Sequence, residues 1–179
     1  RKNKSRVNIT PINFGGGQEK GLRSGTLNVP GIVGMGKAIE ILMTGMEKET
    51  QYLLSLRNML QEKLFEEIPD IRLNGHPVER LPNNLNIGFT GVDAQALMMG
   101  MKEIAVSSGS ACSTSQAMPS HVLKAIGLSN EQSHSSIRFG LGRFTTEEEI
   151  TYTVQKVKET VQQLRMNLPK YFTRQQTTE

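Results

Sequence analysis

SIRFGLGRFTTEEEITYTVQKVKETVQQLR, residues 136–165, changes its period halfway along. From Ser136 to Phe144, apolar residues alternate with small or charged ones, which reads as a strand. From Ile150 onward, Val154, Val157, Val161 and Leu164 recur at three- and four-residue steps, the period of an amphipathic helix. Between the two lie overlapping start signals: Thr145 with Glu148, or Thr146 with Glu149, either of which makes a capping box. The acids that follow suit the positive end of a helix dipole, so the run reads as a helix start and not as a catalytic carboxylate pair. A strand feeding such a helix gives each element one apolar face to cover, which predicts helices laid on a small sheet.

The same reading extends upstream. PSHVLKAIGL (119–128) is a short helix that Pro119 begins and Gly127 ends. IAVSS (104–108) is a strand, and DAQALMMGMKE (93–103) a helix capped by Asp93, with its methionines in the core. IRLNG (71–75) and LNIGF (85–89) are strands joined by a proline-containing loop. YLLSLRNMLQEKLFEEI (52–68) is the clearest amphipathic helix, with Leu53, Leu56, Leu60 and Leu64 on one face and Pro69 just beyond. A separate helix starts near Asn28 with Pro30 in its first turn; Gly31, Gly34 and Gly36 predict a face packed closely against something. Residues 1–13 read as an extended lead-in and 171–179 as a disordered tail. The chain shows no internal repeat.

Composition narrows the function classes. With 179 residues and 36% hydrophobic content, the chain is globular, of one domain or slightly more. Its net charge of +4 is spread out, with no basic stripe interleaved with aromatics, so nucleic acid is not an expected partner. No apolar run approaches the roughly 20 residues that span a bilayer, so no membrane is expected either. A single cysteine excludes an internal disulfide and a cysteine-cluster metal site. A free thiol suits a reducing compartment, so the expected location is the cytoplasm, with a mitochondrial or plastid interior as alternatives. Residue 1 is Arg, and the start reads as the middle of a longer protein or a processed chain.

Three stretches carry chemistry. SSGSACSTSQ (107–116) holds Cys112 without one large aliphatic neighbour. A structural cysteine sits among apolar side chains; this one stands in a loop after an apolar strand, where a thiolate reacts and passes its cargo on. GGGQEKGLRSGT (15–26) is either a plain surface connection or an anion cradle, with Ser24 or Thr26 adding a hydroxyl. Arg138 shares its strand face with Ser136 and Gly140, leaving room for a carboxylate beside its planar fork. Arg143 is a secondary candidate for that task. His121, at the start of a short helix, and His134, before the arginine strand, are candidate helpers of the thiol; His76 reads as a turn residue.

Taken together, GGGQEKGLRSGTLNVPGIVGMGKA, AVSSGSACSTS and HSSIRFGLGRFTTEEEI resemble the C-terminal part of a cysteine desulfurase of the NifS/IscS-like branch. That is a class-V aminotransferase-like enzyme of the pyridoxal-phosphate-dependent fold. The three stretches occur in the family's order, and the likeness runs from Arg1 to about Leu164. The resemblance implies an α/β chain. Residues 1–45 would be a remnant of the large cofactor domain. Residues 46–170 would be the small domain, a short, mainly antiparallel sheet flanked by helices. It implies removal of sulfur from L-cysteine, giving alanine and a persulfide on Cys112. Arg138 would hold the substrate carboxylate, and Thr26 would reach the cofactor phosphate of the other subunit of a homodimer. Sulfur would pass to an iron–sulfur scaffold or other acceptor protein, where Cys112 can also serve as a transient cluster ligand.

The family holds pyridoxal 5'-phosphate on a lysine that follows a histidine. None of the eleven lysines here follows one, so this chain alone is expected to be inactive. The alternative readings are a selenocysteine lyase or another aminotransferase-like enzyme on the same scaffold, and a stand-alone sulfur-accepting module without the cofactor.

Overall fold

The computed structural model describes residues 9–108 and 120–166. The chain divides into two compact units, residues 1–46 and 47–179.

The first unit holds a short 3₁₀ turn, Gln18–Gly21, and the first half of helix α1, Val29–Glu67. Asn28 starts that helix: its Oδ1 accepts from Gly31 N (3.2 Å) and its carbonyl accepts from Ile32 N (3.0 Å). The two helices expected over residues 28–68 are one helix of 39 residues. Met46 to Gln51 are good helix formers apart from Thr50, with no proline or glycine among them, so nothing stops propagation where the two apolar patterns meet. Val33, Met35, Met43 and Met46 are exposed. Among the described residues nothing packs closely at Gly34 or Gly36: an added Cβ would meet no atom within 4 Å at either. One 18-residue window of α1 reaches a mean hydropathy of 1.2 and meets the length and composition of a membrane-crossing helix. Lys37 and Glu40 interrupt that stretch, so the expectation of no apolar run near 20 residues stands beside a window that passes on mean hydropathy alone.

The second unit is a four-stranded sheet with helices packed on one face. The strands are β1 (Ile71–Leu73), β2 (Asn84–Phe89), β3 (Ser107–Ser108) and β4 (Ser136–Gly140), in spatial order β1-β2-β4-β3, each pair antiparallel. Leu85, Ile87 and Phe89 on β2 and Ile137 and Phe139 on β4 point to one side. There they meet Leu56, Leu60 and Leu64 of α1, Leu97 of α2 (Ala94–Gly100) and Val154, Val157 and Val161 of α5 (Glu147–Met166) in a single apolar core.

Side-chain bonds fix the ends. Asp93 caps α2 by accepting from Gln95 N and Ala96 N. Thr146 and Glu149 bond reciprocally, at 3.0 and 3.3 Å, so the second of the two possible capping boxes starts α5. Tyr52 Oη donates to Thr145 O at 2.7 Å, tying α1 to that turn. At the far end of α5 the buried Arg165 donates to Pro69 O and Thr90 O, pinning the helix to the outer ends of β1 and β2.

Several boundaries differ from the sequence reading. The strand expected over 104–108 is paired only at Ser107 and Ser108. The strand expected over 136–144 ends at Gly140, because Thr145 folds back over the following turn: its Oγ1 accepts from Gly142 N and its amide donates to Gly142 O. The expected helix after Pro119 is α3, His121–Ala125, capped by Ser120 and closed by Gly127 at φ +92°. A further helix, α4 (Asn130–His134), was not expected, although Ser129 and Gln132 form a capping box of its own.

Candidate functional site

The sheet face away from the core is polar. Alternation along β4 sends Ile137 and Phe139 inward and leaves Arg138 exposed between the buried Ser136 and the exposed Gly140. In the ladder Arg138 stands opposite Asn86 of β2 on one side and Ser107 of β3 on the other. Beside it lies a hydrogen-bonded floor. Asn74 Nδ2 donates to Asn86 Oδ1 (2.7 Å) and to Ser136 Oγ (2.9 Å); Ser136 Oγ donates to Gln132 O (2.6 Å). The Arg138 guanidinium has no hydrogen-bond or ion-pair partner among the described residues. An added Cβ at Gly140, on the same strand face, would meet nothing within 4 Å among the described residues. A free, rigidly based planar fork over a polar floor can grip a carboxylate at two points.

The glycine-rich loop of the first unit is built, not slack. Gly15, Gly21 and Gly25 take positive φ (148°, 78° and 94°), which suits residues without a Cβ. Ser24 Oγ donates to Gly16 O (2.6 Å), Gly25 N donates to Gln18 Oε1 (3.1 Å), and Arg23 Nη1 donates to Gly25 O and Thr26 O. Ser24 thus spends its hydroxyl inside the loop. Thr26 is exposed, and only its carbonyl is engaged among the described residues, which leaves its hydroxyl open to a phosphate.

The other candidates separate. Arg143 Nη2 pairs with Glu49 Oε2 of α1 at 3.0 Å, a partly exposed ion pair on the surface. His121 is exposed at the first position of α3. His134, at the end of α4, lines a cleft of about 430 Å³ with Arg72, Asp93 and Glu131. His76 Nδ1 accepts from Val78 N and Glu79 N, the turn expected of it. Cys112 lies outside the described residues. Among the described residues no group of three metal-ligating side chains comes together.

A second cleft, of about 410 Å³, opens on the core side of β4 between Ile104, Val106, Leu141, Ile150 and Tyr152. At its rim Lys156 Nζ pairs with Glu103 Oε1 (2.8 Å), and Tyr152 Oη donates to the same carboxylate (3.2 Å). The lysine bond holds the Glu103 carboxyl below its ordinary range; the same bond raises Lys156, and desolvation with the glutamate bond raises Tyr152. Arg138 does not line this cleft.

Sequence reasoning missed the floor made by Asn74, Asn86 and Ser136. The signal was the cluster of asparagines in LNG and LPNNLN, at strand positions that alternation turns away from the core.

Residues 2–153 match the family Aminotransferase class-V. The chain is 48% identical over 170 residues to a cysteine desulfurase IscS of Anaeromyxobacter dehalogenans, covering 95% of this chain and 42% of that one. A cysteine desulfurase IscS of Rickettsia typhi is 46% identical (94% and 41% covered), and a cysteine desulfurase of Rattus norvegicus 44% identical (94% and 37%). Among solved structures, a NifS-like protein from Rickettsia africae superposes with a TM-score of 0.75 at 33% identity, covering 87% of this chain and 41% of that one. The chain thus spans about two fifths of the length of the relatives it matches.

Proposed function

The chain belongs to the class-V aminotransferase family, and from that premise we propose that it is the C-terminal part of a cysteine desulfurase. Class-V aminotransferases depend on pyridoxal phosphate. The observation that carries the proposal is Arg138, unpartnered among the described residues, on the polar sheet face, paired in the ladder with the strand that runs on to Cys112. Four peptide steps separate Ser108 from Cys112, so the chain tethers the Cys112 Cα within about 14 Å of the Ser108 Cα.

Bound pyridoxal phosphate supplies the electron sink for loss of the substrate's α proton. The residues present fit its periphery. The open Thr26 hydroxyl would donate to a cofactor phosphate oxygen of the other subunit, and Arg138 would hold the α-carboxylate of L-cysteine and so fix which end of the substrate faces the thiol. The anchoring lysine is not among these residues. Cys112 as thiolate attacks the substrate sulfur: a sulfur–sulfur bond forms, the carbon–sulfur bond breaks, and carbon gains a proton. One cysteine and one protein thiol thereby give alanine and one protein persulfide, with atoms and electrons balanced. The persulfide then passes its outer sulfur to an acceptor protein, an iron–sulfur scaffold among them, from an enzyme that acts as a homodimer.

The test uses the parent-length protein with L-cysteine, following alanine release and the mass of the Cys112 peptide. One added sulfur on that peptide, lost together with alanine release in Cys112→Ala, is the expected result. Undiminished alanine release by the variant overturns the assignment.

A further inference from the structure

Four buried side-chain nitrogen atoms lack a hydrogen-bond partner among the described residues, and all belong to three arginines: Arg57 Nε, Arg72 Nη2, and Arg80 Nε and Nη1. The three meet around Asn74 and the loop that follows it. Arg72 Nε donates to Asn74 Oδ1 (3.0 Å), Arg80 Nη2 to Asn74 O (2.8 Å), and Arg57 Nη1 to Leu81 O (3.3 Å). Every acceptor that Arg57 and Arg80 find is a backbone carbonyl or the Asn58 amide (2.8 Å). Neither pairs with a carboxylate among the described residues.

Such an arrangement is costly as it stands. Arg57 is 6% exposed, and a guanidinium out of water without a counter-charge forfeits its hydration. Arg80, half-buried, adds a second positive charge nearby. Desolvation, and then the Arg57 charge, push its pKa below the ordinary arginine value, with no acid opposing them. Two forked cations with empty donors, joined by a loop and lacking an acid, are what an oxyanion satisfies: it supplies the missing charge and accepts several N–H bonds at once.

We propose that Arg57 and Arg80 form a binding site for a small free oxyanion of the phosphate class, held where α1 meets the 74–83 loop. The site lies in the second unit. Residues 75–79 of the loop, which lead to Arg80, are exposed. Arg72, whose Nε is held by Asn74, flanks the pair.

The test titrates inorganic phosphate into the 179-residue chain at constant ionic strength, with chloride as the balancing salt, by calorimetry and by phosphorus NMR line broadening. Expected are saturable binding by the wild-type chain, weakening of at least tenfold in Arg80→Gln, and partial recovery in Arg80→Lys. Arg80→Gln changes a loop residue, and circular dichroism checks that its fold is kept; Arg57→Met, in the core helix, is a second variant only if it passes the same check. Absence of saturable binding, or equal binding by the wild type and Arg80→Gln, overturns the site. The same titration on the parent-length protein is the second arm. Loss of binding there, while the 179-residue chain binds, shows that a carboxylate of the longer protein fills the pair, and overturns the free-ion assignment.

Discussion

Arg138 and Ser107 face each other in the β4–β3 ladder, and Ser108 faces Ile137 beside them. The strand that presents the guanidinium and the strand that leads to Cys112 are therefore one hydrogen-bonded unit. Under the proposed function, substrate grip and sulfur acceptor would be built on the same few residues of backbone, so a register slip there would displace both.

Arg138→Ala in the parent-length protein is expected to lower kcat/KM for L-cysteine roughly 10- to 100-fold, the effect of losing a charge-assisted two-point contact of about 1.5–3 kcal/mol. The side chain is exposed and unpartnered among the described residues, so the thermal midpoint stays at the wild-type value. Steady-state kinetics and a melting curve on one preparation check both halves. A fall in kcat/KM with a parallel loss of stability contradicts the assignment.

Gly100 abuts the side chain of Thr160 on α5, and an added Cβ would collide with the Thr160 methyl. Gly100→Ala is expected to destabilise the fold by about 1–3 kcal/mol through overpacking. Adding Thr160→Ser, which removes that methyl and keeps the hydroxyl that donates to Lys156 O at 2.8 Å, recovers part of the loss. Urea denaturation of the single and double variants measures the recovery.

Leu60 lies in the core and Thr146 caps α5 from the surface, so they separate two sources of stability. Leu60→Ala is expected to cost about 2–5 kcal/mol, and Thr146→Ala about 1 kcal/mol. Chemical denaturation that finds the two equal contradicts this division.

The Glu103–Lys156 pair predicts a pH dependence with two edges. Glu103 titrates lower in the fold than in the unfolded chain, so its contribution is present above the ordinary carboxylate range and lost as pH falls through its depressed value. Lys156 titrates higher in the fold, so its contribution is present below the ordinary lysine range and lost as pH rises through its elevated value. The stability gap between the wild type and Lys156→Met is therefore widest near neutrality and closes at both extremes. The pair is solvent-exposed, so high salt narrows the gap as well. A gap independent of pH contradicts the pairing.

What the sequence showed and what it hid follow from how far each signal reaches. The α5 box and the Asp93 cap are interactions across three residues, and the residue types alone reveal them. The core faces of α1, β2, β4 and α5 are periodic, and period is visible at any distance. The length of β3 depends on which residues of β4 remain available as partners, which no local pattern records; hence the expected 104–108 against the observed Ser107–Ser108. The continuity of α1 was hidden because two apolar patterns with different faces suggested two helices, while the residues between them carried no stop. At the site, Arg138 was legible from its small neighbours. The asparagine floor was not, since Asn74 joins Asn86 and Ser136 only after three strands have assembled.

The division between the two units falls at Met46 and Glu47, inside the 39-residue helix. Anyone excising the second unit as an independent protein must cut through a hydrogen-bonded helix. The new end exposes amides that lose their carbonyl acceptors one turn upstream. A serine or aspartate engineered ahead of Glu47 restores a cap, and the acids Glu47 and Glu49 then sit in a first turn whose dipole favours them.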